Sequence, residues 1–259
     1  MTSDDEYLKK LLNEQEPSDG LKIMLRNERK KIESFIRDEV SESNVRFYYA
    51  GSYKKETMIE EIFDLDIVIY YPNDTSLTLR EIYYKIQKIL QRNDYAPREK
   101  NVALQCNRIH KTYGEFHVDV VPGRAIDDEY YYAKLYKSKE DSSLQTSVTE
   151  HVEAVRGTRH RDIIKLLKLW KIRRGFSCPT FILEMLFLRF IDTNHGRTGL
   201  FSLLMGTFNY IAQNIQSIRL VDPANSNNIV SNDLSDNQKY QIYRHAQKAY
   251  KTDSWADVF

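Results

Sequence analysis

The stretch Asp64-Leu-Asp-Ile-Val-Ile-Tyr-Tyr71 decides how this sequence is read. Branched and aromatic residues fill it, and Pro72-Asn-Asp74 ends it, which predicts a β-strand. Successive side chains of a strand point to opposite faces. Asp64 and Asp66 therefore share one face, and Leu65, Ile67 and Ile69 go to the other, buried one. Residues 115–121, Glu-Phe-His-Val-Asp-Val-Val, have a similar texture and set Asp119 among valines. If the two strands are neighbours, three carboxylates gather on one sheet surface. Such charges repel strongly unless cations bind among them. Hard divalent ions answer this need, held by one or two carboxylates plus phosphate oxygens. Asp64, Asp66 and Asp119 are thus the candidate metal ligands, for Mg²⁺ or in its place Mn²⁺. A pair of such ions activates an attacking hydroxyl and stabilises a leaving pyrophosphate in an in-line displacement.

Upstream lies Gly51-Ser52, read as a tight turn after a strand at 45–50. Glycine lets backbone N–H groups approach a ligand, and a hydroxyl beside them suits a phosphate. Lys54 and Lys55 follow closely. Taken singly these features are bland: an Asp-x-Asp is usually a solvated strand face and a Gly-Ser turn is almost uninformative. Their ordered combination is what carries weight.

Further out, apolar periodicity predicts helices at 6–13, 21–40 and 79–91. In the second of these, Ile23, Leu25, Ile32, Phe35 and Ile36 are expected on mostly one face. A further strand is expected at 102–109, and Pro122-Gly123 is expected to end the sheet. Helical patterns follow at 149–158, 161–174, 179–192, 200–219 and 235–251, with a loop at 221–229. The expected fold is α+β and bilobed: a mixed sheet carrying the acids, within 1–148, and a helical lobe, 149–259.

The 259 residues hold 38 Lys+Arg against 37 Asp+Glu, a net charge of +1 that argues against a broadly basic nucleic-acid coat. No apolar run approaches the roughly 18 residues of a membrane span, and MTSDDEYLKK lacks the apolar core of a signal peptide. Cys106, Cys178 and the six histidines show no zinc-ligand spacing. A cytoplasmic setting is the expectation, with no membrane partner. The neutral total hides a basic segment with Arg156, Arg159, Arg161, Lys165, Lys168, Lys171, Arg173 and Arg174 against Asp162 alone. There Ile163, Leu166, Leu167 and Trp170 form an apolar stripe, and Arg161, Lys165 and Lys168 share another face. Pattern alone reads that face as solvated.

Gly51-Ser52, Asp64-Leu-Asp-Ile-Val68 and Val118-Asp-Val-Val-Pro122 together resemble the three-part signature of the DNA polymerase β-like nucleotidyltransferase superfamily. Residues 163–171 with 179–186, the Asp222-Pro223 loop and the closing Trp255-Ala-Asp-Val-Phe259 resemble the CD-NTases, bacterial relatives of cyclic GMP-AMP synthase and oligoadenylate synthetase. The resemblance runs from about residue 21 to 259. It implies a catalytic role for Asp64, Asp66 and Asp119. It also implies nucleotide contacts from Gly51, Ser52, Lys168 and the neighbouring Lys165, with Phe181 against a base; stacking tolerates any base. The activity implied is template-independent synthesis of linear or cyclic oligonucleotide messengers from NTPs such as ATP and GTP, in anti-phage signalling. An activating protein or nucleic-acid ligand is the implied partner.

The sequence departs from the family pattern in places. Glu56-Thr57 stands where Gly-Thr is common, Gly123 is not the commonest residue after Val-Val-Pro, and the Asp222 loop is one residue shorter and lacks a second Pro. Alternatives in the same chemistry are an RNA terminal transferase of the CCA-adding type and a nucleotidyltransferase that modifies a protein. A non-catalytic nucleotide sensor is the alternative from another class.

Overall fold

A computed structural model describes residues 3–194, 196 and 198–259, with only the backbone given for Thr158 and Arg159. The side chain of Arg159, one of the basic segment, therefore lies outside the described residues. The chain forms two compact units: one is Pro17–Val152, the other Met1–Glu16 together with Glu153–Phe259. The opening helix thus groups with the C-terminal half, whereas a division after residue 148 would assign it to the sheet.

The elements in chain order are α1 (Ser3–Glu14), α2 (Asp19–Glu39), β1 (Arg46–Tyr49), α3 (Gly51–Lys55), β2 (Asp64–Tyr71), α4 (Leu79–Arg92), β3 (Arg98–Glu99), β4 (Leu104–His110), β5 (Gly114–Ala125), β6 (Ala133–Lys137) and β7 (Ser142–Thr146). After them come α5 (Val148–Glu153), α6 (Thr158–Arg173), α7 (Thr180–Thr193), α8 (Leu200–Asn214), β8 (Val221–Asp222), β9 (Asn225–Ile229) and α9 (Asp236–Lys251).

In the sheet unit the strands run in the order β1-β2-β5-β4-β3, and β6 and β7 extend the sheet from the far end of β5. β2 and β5 are parallel; their neighbours β1 and β4 are antiparallel to them. One face is apolar. Leu65, Ile67, Leu104, Cys106, Val118 and Val120 are buried there against Leu25, Ile32 and Ile36 of α2 and Ile82, Ile86 and Leu90 of α4. Local chemistry fixes both helix starts. The Ser18 hydroxyl accepts from Leu21 N at 3.2 Å. Thr78 and Glu81 cap each other, Glu81 N donating to Thr78 Oγ1 and Thr78 N to Glu81 Oε2.

Three expectations need correction. Ile23 is 50% exposed, and Met24 and Leu25 are the buried residues of that turn. The 221–229 stretch is a hairpin, not an open loop: Asp222 accepts from Ala224 N through Oδ1 and from Asn228 Nδ2 through Oδ2. The sheet does not end at Pro122-Gly123. β5 pairs with β4 as far as Val120 and with β6 from Gly123 onward. Pro122 falls between the two antiparallel partners, where its missing N–H interrupts neither ladder.

In the helical unit, Ile163, Leu166, Leu167 and Trp170 are all buried, as their spacing in α6 required. Trp170 meets Phe176 and Phe208 at ring distances of 4.5 and 4.9 Å. Trp255 fastens α1: its indole N–H donates to Asp4 Oδ1 at 2.9 Å, and its ring stacks on Tyr7. No helix among the described residues is long and apolar enough to cross a membrane.

Candidate active site

The face of the sheet opposite the helices carries the acids. Parallel pairing sets Asp66 directly beside Asp119, and Asp64 beside His117. Antiparallel pairing then sets Gln105 beside Asp119, Asn107 beside His117, and Arg98 beside Gln105. Two transverse rows result. One reads Asp66, Asp119, Gln105, Arg98 across four strands; the other reads Asp64, His117, Asn107 across three. Adjacent strands lie about 4.8 Å apart, so the first row spans roughly 14 Å.

Each acid has a different environment. Asp64 lies 3.4 Å from His117 Nδ1, both side chains about half exposed. Asp66 lies over Gly51, where a Cβ would come within 1.6 Å of its Oδ2. Gly51 adopts φ +52°, a left-handed conformation that favours glycine, and Ala50 N donates to Asp66 O at 3.0 Å. Gly51-Ser52 is thus the opening of the short helix α3, and it abuts the metal-ligand candidate directly. Asp119 is half-buried. Its Oδ1 is buried and has no hydrogen-bond partner among the described residues. Burial pushes its pKa up, and the charge of Asp64 adds to this; a Gln105 hydrogen bond, Lys100 and His117 pull the other way.

The three acids share a face, yet among the described residues no three His, Cys, Asp or Glu side chains are grouped so as to hold a metal ion by themselves. Asp64 turns to a histidine, and Asp66 lies against the Gly51 backbone.

The remaining candidates lie on the helical unit. Lys168 of α6 is 6% exposed, and Phe181 at the start of α7 is half-buried. Lys165 pairs with Glu16 at 2.7 Å, so any phosphate would compete with that carboxylate. Asn228 donates through Nδ2 to Asp222 Oδ2 within the β8–β9 hairpin. Gln105 and His117 were not singled out from the sequence. Neither residue type is informative until the β4–β5 register places it against an acid.

This arrangement, a mixed sheet with acids on β2 and β5 after a Gly-Ser helix start, is the polymerase β-like nucleotidyltransferase fold of the CD-NTases. The family model described as the Second Messenger Oligonucleotide or Dinucleotide Synthetase domain matches residues 1–158, and the chain belongs to that family. The chain is similar to the cyclic AMP-AMP-AMP synthase of Escherichia coli (strain MS 115-1), 19% identical over 207 residues. That match covers 74% of this chain and spans 64% of the relative's length. The solved structure of E. coli MS115-1 CdnC with ATP superposes with a TM-score of 0.70 at 17% identity, over 95% of this chain and 93% of that one. Vibrio cholerae DncV, a cyclic AMP-GMP synthase solved with the linear intermediate pppA(3′,5′)pG, gives 0.74 at 14% identity, over 96% and 90%.

Proposed function

We propose that the protein is a Mg²⁺-dependent nucleotidyltransferase that joins NTPs into a linear or cyclic oligonucleotide messenger. The observation that carries this reading is the row Asp66–Asp119 on parallel strands, with the Gly51 backbone against the Asp66 carboxylate. Asp64, Asp66 and Asp119 would hold the metal. The unpartnered, buried Asp119 Oδ1 fits that role, because a bound cation supplies the missing interaction. Mg²⁺ sites of this kind draw several of their oxygens from substrate phosphates, so a protein-only cage is not required. When bound, the metal neutralises the charge that develops on the phosphates.

The chain's own groups then do the following. The backbone at Gly51 and Ser52 receives the β- and γ-phosphates of the donor. Asp119, whose pKa is pushed up by burial and by the charge of Asp64, would take the proton that an attacking hydroxyl loses. The hydroxyl oxygen bonds to the α-phosphorus of the donor, the bond from that phosphorus to the bridging oxygen breaks, and pyrophosphate departs. The relatives named above, a cyclic AMP-AMP-AMP synthase and a cyclic AMP-GMP synthase, support NTPs as substrates. E. coli CdnC is also solved in complex with a HORMA protein, which supports an activating protein partner.

The test is incubation with Mg²⁺ and each α-labelled NTP, alone and in pairs, followed by phosphatase and chromatography. A phosphatase-resistant oligonucleotide is the expected product. Extension of a tRNA, or a nucleotide-sized mass shift on a protein, with no such product would overturn this reading.

A further inference from the structure

The β4 edge of the sheet is covered only in part. β3 pairs with β4 at Leu104 and Gln105 and no further, and Pro97, which has no N–H, comes just before β3. In an antiparallel ladder the N–H and C=O of one residue point to the same side, and successive residues alternate. Lys100 N donates to Ala103 O at 2.8 Å, so Ala103 faces the β3 side. By alternation Gln105, Asn107 and Ile109 face that side too, while Cys106, Arg108 and His110 face β5. Among the described residues, no backbone hydrogen bond from outside the sheet reaches Asn107 or Ile109. Both residues are exposed, Ile109 to 79%.

A cavity of about 260 Å³ opens beside this edge on the α2 side of the sheet, with Lys31, Arg108 and His110 around it and Met24 and Phe116 as apolar wall. The one carboxylate in its lining, Glu28, is 6% exposed and already engaged. Tyr95 Oη donates to Glu28 Oε1 at 2.7 Å, Arg108 Nε lies 2.9 Å from the same oxygen, and Lys31 Nζ lies 3.7 Å from the other. Two cations thus face one anion, an excess of one positive charge. His110 Nδ1 accepts from Thr112 N at 3.2 Å, so in the neutral ring Nε2 carries the proton and is a donor. An open edge takes an extended chain by backbone hydrogen bonds, and a pocket beside it selects a side chain. We propose that the β4 edge docks an extended segment of a partner protein, antiparallel to β4, with an Asp or Glu entering the cavity. The segment's backbone bonds Asn107 and Ile109. Its residue opposite Arg108 points to the α2 side and sets its carboxylate among Lys31, Arg108 and His110. Its residue opposite Ile109 points to the other face and is apolar, covering that side chain. A second copy of this chain fits worse: pairing Asn107 with Ile109 across a two-fold axis sets the two Arg108 side chains against each other.

The probe is the capped peptide acetyl-Ser-Val-Glu-Val-Thr-amide, titrated into the ¹⁵N-labelled full chain beside a control with Lys in place of Glu. The Glu peptide should bind about 10-fold tighter, the size of one charge-assisted hydrogen bond, and should shift the amide signals of Asn107 and Ile109. Ile109→Pro removes an N–H that faces away from β5, so the fold should survive, as thermal unfolding will show, and peptide binding should be lost. Lys31→Glu, at an exposed position, should invert the preference between the two peptides and decides alone if the proline variant unfolds. No binding of the Glu peptide, equal affinity for both peptides in wild type, or binding unchanged in a folded Ile109→Pro overturns the proposal. A wild-type dimer in sedimentation that dissociates in Ile109→Pro gives the edge to a second copy and overturns the partner assignment.

Discussion

The two faces of the central sheet come from the same strands, residue by residue, and answer to different demands. Leu65 and Ile67 alternate with Asp64 and Asp66 along β2, and Val118 and Val120 bracket Asp119 on β5. The apolar face is buried against α2 and α4 and stabilises the fold. The acid face does the reverse: Asp119 is half-buried, raised in pKa and left with an oxygen unpaired. A sheet surface that puts three carboxylates on two adjacent strands is retained against its electrostatic cost, which is the mark of a site rather than of a scaffold. The comparison can be broken from either side.

The largest expected effect on stability is on the apolar face. Ile67→Ala empties a fully buried position and should cost about 2–5 kcal/mol, read by urea unfolding. A cost below that range would mean that the face repacks easily and is not the foundation of the unit. Next comes the contact between the two functions. Gly51→Ala forces a Cβ into the Asp66 carboxylate at a position with φ +52°. It should cost more than about 1 kcal/mol and also displace the acid. Turnover should therefore fall further than stability alone explains; an active Gly51→Ala enzyme would separate the turn from the site.

The smallest effect is the pH dependence of Asp119. Its folded pKa is raised, so the folded state holds the proton more tightly than the unfolded chain does. Stability from this group is therefore greatest below the ordinary aspartate range and declines as pH rises through the folded value. Urea midpoints of wild type and Asp119→Asn should converge at low pH. They should separate as pH rises to neutral, because only the wild type carries the buried charge, and the variant should be the more stable there. Curves that stay parallel would show that burial of this carboxylate carries no penalty.

Much of the fold could be read from alternation and periodicity. The pattern of β2 placed Asp64 and Asp66 on one face before any neighbour was known, and α2 and α4 announced themselves by apolar spacing. What escaped was set by pairing between distant strands. β6 and β7 are short and mixed in polarity, and Pro122 looked like an end because a proline inside a ladder is rare; the change of partner at that residue is a tertiary fact. Gln105 gave no signal, since its meaning depends on facing Asp119 across the β4–β5 register. The grouping of α1 with the C-terminal half comes from contacts far apart in sequence, such as Trp255 donating to Asp4 and Phe201 N donating to Asp5.

The most direct measurement is NTP turnover by Asp64→Asn with Asp66→Asn, made alongside its unfolding curve. The account predicts turnover lower by on the order of 10³-fold or more, as when groups that act as a unit are removed, in a protein at least as stable as wild type. Near-normal turnover in the folded variant would contradict it.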